Sequence, residues 1–172
     1  IYMGEGVFLH TNVETAYGNV RGTNGGFYRY SPQRHHLERT AQLPIPNPWG
    51  IAFDDWGQPF FEHTSGPSAT WMMPGTIVPR YGVSSPLPEN LIEKDHLVRP
   101  TSGLEFVSSR HFPDAAQGNM LIANTIGFLG IKEHSMVDDP KTAGYVSKHQ
   151  EDLISASDKN FRPVDMEFAP DG

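Results

Sequence analysis

The sequence predicts an all-β chain, built of repeated antiparallel units that form part of a β-propeller. Three observations predict it. Glycine (17) and proline (15) make up about a fifth of the 172 residues, against roughly 12% in average proteins, which leaves little room for long helices. Aromatic residues at 11% are too many for a disordered chain. Short patches of alternating bulky and polar side chains recur between turn signals. Three of them, aligned on Phe53, Phe106 and Phe168, are separated by about 53 and 62 residues, slightly above the roughly 40–50 of a four-stranded propeller blade.

Taken in order, Gly26–Tyr30 alternates bulky and polar residues, Ser31-Pro32-Gln33-Arg34 supplies a turn, and Leu37–Ala41 alternates again, which is a hairpin pattern. Next come a strand at Gly50–Phe53, the turn Asp54-Asp55-Trp56-Gly57, and a strand at Pro59–Glu62. Gly66 to Pro100, with six prolines, reads as a long surface connection, and it contains the one short helical patch, Pro88–Ile92. Gly103–Val107 is followed by a connection ending at Gln117-Gly118-Asn119 and by a strand at Met120–Asn124. Val164–Phe168 then leads into Ala169-Pro170-Asp171-Gly172, a turn sequence of the kind that joins two strands. The chain does not start with Met and stops on that turn, so it reads as an internal fragment. Its blade-like units fall at about 1–46, 47–100 and 101–162, with the start of the next at 163–172. That is about three blades plus the first strand of a fourth, half of a six-bladed ring. Phe53, Phe106 and Phe168 are expected at equivalent buried depths, and Trp56 is expected in the packing between blades.

Composition also excludes function classes. Twenty acidic residues against thirteen basic ones give a net charge of -7, which repels a phosphate backbone and argues against nucleic acid as a partner. The absence of cysteine removes disulfides, thiolate metal sites, a Cys nucleophile and covalent haem attachment from these residues. No apolar run approaches 18 residues and Ile1–His10 has neither part of a signal sequence, so no membrane span is expected in this segment.

The stretch Asn47-Pro48-Trp49-Gly50-Ile51-Ala52-Phe53-Asp54 resembles the start of an inner strand in the soluble glucose and sorbosone dehydrogenases. Those are propellers that hold pyrroloquinoline quinone (PQQ) over the channel mouth. His10–Thr15 with Gly18–Arg21, Asn47–Gly57, Ser108–Pro113 with Gln117–Asn119, and Asn160–Asp165 together resemble a group of membrane-bound dehydrogenases in which such a propeller is often joined to a c-type haem domain. The likeness covers nearly the whole chain. It implies a periplasmic, cell-envelope or extracellular oxidoreductase acting on a sugar or other alcohol with PQQ. The remaining blades and a cytochrome c domain would be its partners in a longer protein. Carried over residue by residue, Asn47 matches an Asn that touches the cofactor, and Arg162 falls near the arginines that meet the PQQ carboxylates. Pro46 stands where those enzymes carry an arginine beside the reacting carbonyl, so a charge that would stabilise a developing oxyanion is missing. This departure favours a second reading, a propeller without redox chemistry that binds carbohydrate or a protein partner.

Hydride abstraction from an alcohol needs a general base, an electron sink and cations that hold an acidic cofactor. His111 beside Arg110 is the first pair to consider, because a cationic neighbour keeps the imidazole neutral and able to accept a proton. The alternative has both bonding carbonyls in a loop. Asp165 either faces the channel paired with Arg162, as a catalytic candidate, or makes a purely structural salt bridge. Trp49, with Asn47 and Arg162, is expected to contact the cofactor. His10, Glu14 and Arg21 lie in a polar stretch that, with His63, offers substrate contacts; a loop tied by its own hydrogen bonds accounts for that stretch equally well. Asn47, Arg110, His111, Arg162 and Asp165 are expected to meet at one mouth of the channel. No metal site is expected, since the eight histidines show no HExxH and a zinc site would have to be assembled from distant loops. Asp138-Asp139 lacks the spaced Asp/Asn and Gly of an EF-hand loop, while single-carboxylate Ca²⁺ sites of the kind propellers carry stay open.

Overall fold

The computed structural model describes residues 1–65, 69–73, 77–83 and 85–172. It is all-β, with 44% of residues in strands and 4% helical, in several antiparallel sheets, none of which closes on itself among the described residues. The chain clusters into two compact units, Ile1–Pro48 with Met72–Pro88, and Trp49–Trp71 with Glu89–Gly172.

In the first unit, β1 (Tyr2–Glu5), β4 (Gly26–Ser31) and β5 (His36–Gln42) form a sheet in the order β1-β4-β5. Between β1 and β4 the chain makes a separate two-stranded hairpin, β2 (His10–Thr15) with β3 (Gly18–Thr23). The β4–β5 hairpin is the one the alternation predicts, with Tyr30 opposite Leu37 and a bulge between Phe27 and Tyr28. Phe27, Ala41, Leu43 and Ile45 are buried here. A polar knot holds the unit as well: Glu5 and Arg39 form a buried ion pair, and the Tyr28 hydroxyl donates to Glu5 Oε2 (2.9 Å). From the separate hairpin, Thr11 Oγ1 donates to Glu5 Oε1 (2.9 Å). Residues 72–88 belong to this unit because Ser85 N–H donates to the Gln42 carbonyl (3.1 Å) and Tyr81 lies under the Arg21 guanidinium. Of the irregular stretch expected between Gly66 and Pro100, residues 66–68, 74–76 and 84 lie outside the described residues.

The second unit holds β6 (Pro48–Phe53), β7 (Pro59–His63) and β8 (Thr70–Trp71) in one sheet. A second sheet runs as a meander through β9 (Thr101–Phe106), β10 (Met120–Asn124), β11 (Gly130–Asp138) and β12 (Tyr145–His149), with β13 (Ile154–Ser155) on β11. The turn between β6 and β7 is built by Asp54, whose Oδ1 accepts from the N–H groups of Trp56 and Gln58. Because side chains alternate across a strand, Leu104, Phe106, Met120 and Ile122 leave one face of the meander and pack with Ala52 and Phe60 of the preceding sheet. Leu121 and Ile131 leave the other face and are covered by Phe112, Met166 and Phe168. The two sheets approach so closely that a Cβ on Gly50 would lie 2.9 Å from Leu104 Cβ, besides 2.8 Å from Glu62 Cγ of its own sheet, and the segment after Arg162 approaches β9 so closely that a Cβ on Gly103 would lie 3.0 Å from Asp165 Cα.

Several expectations are corrected. Phe106 is buried, while Phe53 and Phe168 are only half-buried, since Phe106 meets Phe60 edge-on (5.0 Å) and Phe168 caps an outer cluster beside Phe112. Trp56 is 87% exposed; it sits at the tip of the Asp54 turn and takes no part in packing between sheets. Val164–Phe168 runs beside β9 without strand pairing, for Pro163 has no N–H to give and the Met166 N–H is taken by Asp165 Oδ1 (2.9 Å). Pro88–Ile92 is extended instead of helical: Asn90 bridges Thr70, and its Oδ1 accepts from the N–H groups of Ala69 and Ile92.

Candidate functional site

At the N-terminal ends of β6 and β9, beside the segment that passes Arg162, opens a cleft of about 290 Å³. Trp49, Thr64, Thr101, Ile126, Arg162 and Val164 are among the residues that line it. The start of β6 puts Trp49 there with 56% of its surface exposed, so its ring is offered to solvent. Arg162 is exposed and its Nε donates to the Lys159 carbonyl (3.1 Å), which fixes the side chain at the rim. Thr64 Oγ1 donates to the Thr101 carbonyl (2.9 Å) and ties the end of β7 to the start of β9. The cleft therefore presents an aromatic face, one cation and an apolar wall. That set suits a flat ring with a polar or anionic edge.

Next to this cleft lies a residue that sequence reading missed. Glu62, on the same face of β7 as Phe60, is fully buried, and burial pushes its carboxyl up to about 8, with the charge of Asp165 adding to the rise and Thr101 partly offsetting it. The Thr101 hydroxyl and both Glu62 oxygens stand outside hydrogen-bond geometry. The group is a neutral acid at pH 7. The signal was present in Pro59-Phe60-Phe61-Glu62-His63, where a carboxylate follows two aromatics with the period of the apolar face.

The structure brings some of the expected site residues together and separates others. Trp49 and Arg162 share the cleft. Asp165 is exposed and its carboxylate accepts from Met166 N–H; among the described residues it makes no ion pair with Arg162. Arg110 and His111 follow the C-terminal end of β9, at the opposite end of a strand that spans roughly 17 Å, so they do not share the cleft of Trp49 and Arg162. His111 N–H donates to Ser109 Oγ (3.1 Å), and Ser109 Oγ donates to the Gly172 carbonyl (3.2 Å). His63 is buried with neither ring nitrogen partnered, burial lowers its pKa, and it does not line the cleft.

In the first unit, Asn47 is exposed at the entry to β6. His10 Nδ1 bonds Thr23 Oγ1 (2.9 Å) across the β2–β3 hairpin. Glu14 stands opposite Asn19 and Arg21 opposite Asn12, and the Arg21 guanidinium rests 3.9 Å from the centre of the Tyr81 ring. The stretch that sequence left between a ligand shell and a self-bonded segment is a regular hairpin. Asp139 accepts from Lys141 N–H (2.9 Å) and from Thr142 Oγ1 (2.6 Å), and these bonds hold its carboxyl below the usual range; it builds the β11–β12 turn.

PQQ carries three carboxylates around a flat ring system. The cleft matches one face and one carboxylate through Trp49 and Arg162, and the residues lining it hold no second cation. The fit is incomplete. No family model matches the chain, and no curated protein and no solved structure matches it either. No helix among the described residues is long and apolar enough to cross a membrane.

Proposed function

We propose that this chain forms part of a β-propeller and that the cleft at the start of its inner strands binds a ring-shaped polar ligand, a carbohydrate. The propeller reading is supported by a repeated contact. Gly50 meets Leu104, Gly103 meets Asp165, and in the first unit Gly4 meets Pro48 with a Cβ position 2.8 Å from Pro48 Cβ. In each case a glycine on a strand is met closely by a segment later in the chain, the kind of contact that stacked blades would make. The observation that carries the ligand reading is the exposed Trp49 ring sharing a cleft with Arg162. Sugars place C–H faces on aromatic rings and hydroxyls on cations and carbonyls.

A second reading keeps the dehydrogenase activity that the sequence resemblance implies, with the same cleft taking the edge of PQQ and an alcohol oxidised beside it. Arg162 at the rim favours it. The cofactor's other carboxylates would then be held by blades beyond these residues. Titration of the full-length protein with PQQ, and separately with a panel of mono- and oligosaccharides, distinguishes the two. Saturable PQQ binding with reduction of an artificial electron acceptor establishes the second reading, and saccharide binding without dye reduction establishes the first. Arg162→Ala removes a charge-assisted contact worth about 1.5–3 kcal/mol, roughly a ten- to hundredfold loss of affinity for whichever ligand binds. An unchanged affinity in that variant overturns the assignment of the cleft.

A further inference from the structure

Away from the cleft, three histidines distant in sequence meet at one edge of the meander. His134 on β11 stands directly opposite His149 on β12, with ring centroids 5.3 Å apart. The 3₁₀ turn Lys94–His96 adds His96, whose ring stacks on His149 at 3.8 Å and 11° and lies 6.4 Å from His134. Two carboxylates frame the group. Glu93 Oε2 accepts the His149 backbone N–H (2.7 Å), and Asp152 Oδ1 bonds His149 Nε2 (2.9 Å) and Lys132 Nζ (3.2 Å).

The observation that asks for a ligand is His134. Its side chain has no exposed surface, and neither ring nitrogen has a hydrogen-bond partner. A structural histidine in a core normally satisfies at least one nitrogen, because leaving a buried polar group unpaired is costly. His149 has the other mark of a ligating histidine: one nitrogen is held by a carboxylate, which fixes the ring and leaves the second nitrogen for an ion.

We propose that His96, His134 and His149 bind one divalent transition ion of the zinc type, with Asp152 as the outer carboxylate that orients His149 and the fourth position open to solvent. Three imidazole ligands and an open position suit tetrahedral Zn²⁺. Among the described residues no three such groups already surround one centre, and the stacked pair shows why: two parallel rings cannot both aim a nitrogen at the same point. The ring that turns is His96, half-buried on a three-residue turn, while His134 and His149 are held by the β11–β12 ladder. Binding therefore converts a stacked pair into a converging triad and ties the 3₁₀ turn to the sheet edge.

The test is titration of the full chain with ZnCl₂ by calorimetry, and with CoCl₂ by visible absorption. One equivalent of Zn²⁺ is expected to bind, and Co²⁺ to give the intense visible bands of a four-coordinate nitrogen site. Asp152→Asn should weaken Zn²⁺ about 10- to 100-fold, and His96→Ala or His149→Asn should weaken it at least as much. The double variant His35→Ala/His36→Ala, which removes histidines outside the cluster, should leave the affinity unchanged. His96 lies at the surface of the fold, so its variant keeps the test readable if a change at β12 disturbs folding. Absence of saturable Zn²⁺ binding, or binding that survives both His96→Ala and His149→Asn, overturns the proposal.

Discussion

The two compact units stabilise themselves by different chemistry. In the first, a buried carboxylate is the hub: Glu5 takes Arg39, Tyr28 and Thr11 at once. In the second, Phe60 sits in a nest of rings with Phe106 (5.0 Å) and Tyr145 (5.1 Å), and the one buried carboxyl nearby, Glu62, has no such partners. Two buried glutamates thus play opposite parts. Glu5 is satisfied by hydrogen bonds and a cation, and it joins the β2–β3 hairpin to its sheet. Glu62 is unsatisfied and keeps its proton. The lesson is that burial alone does not decide what a carboxyl contributes, because its partners do.

The largest effect comes from breaking the satisfied hub. Arg39→Met leaves Glu5 buried without its cation and should destabilise the protein by about 3–5 kcal/mol in denaturant unfolding. The double variant Arg39→Met/Glu5→Leu should recover most of that loss; a double variant as unstable as the single one would show that the knot matters for shape and not for charge.

The unsatisfied carboxyl sharpens the comparison through pH. In the folded chain Glu62 holds its proton up to about pH 8, whereas the ordinary value is 4.5. Its contribution to stability is intact below pH 4.5 and declines as pH rises from 4.5 through 8, since folding then requires proton uptake. Glu62→Gln removes that requirement. The melting temperature of the variant should exceed that of the parent at pH 9, and the difference should shrink steadily toward pH 5. Parallel melting curves across that range would place Glu62 in contact with a cation or with water.

The smallest effect belongs to Trp56. Exposed at a turn tip, it should tolerate Trp56→Ser within about 0.5 kcal/mol; a loss of several kcal/mol would restore it to the packing role that the sequence assigns it.

Local signals made most strands legible. Alternation and an intervening turn identify β4 with β5 and β6 with β7, and the apolar run Met120–Asn124 identifies β10, because each of these buries a face that periodicity records. The β2–β3 and β11–β12 hairpins carry no such signal. Their alternation sets polar residues against polar residues, as in His10-Thr11-Asn12-Val13-Glu14-Thr15, so the period is invisible to hydrophobicity. The site was less legible still. Arg162 could be named from the resemblance and Trp49 from its place before a strand, but Arg110 and His111 follow the far end of β9, and which end of a strand a residue occupies is settled by boundaries that composition does not mark. The meeting of His96, His134 and His149 depends on strand register and on a short turn, neither of which leaves a trace in residue spacing.

The close approach at Gly50 and Gly103 has a consequence for how such a chain can drift. At Gly50 any side chain would have to displace Leu104 or Glu62, and at Gly103 it would meet the backbone of Asp165. The alphabet at these points is close to a single letter. The connections between the sheets carry no such restriction, and loop length is thermodynamically cheap to change. Descent can therefore lengthen, shorten or rewrite the segments that separate the sheets while the stacking itself stays in register, pinned by two hydrogen atoms where other residues carry a carbon.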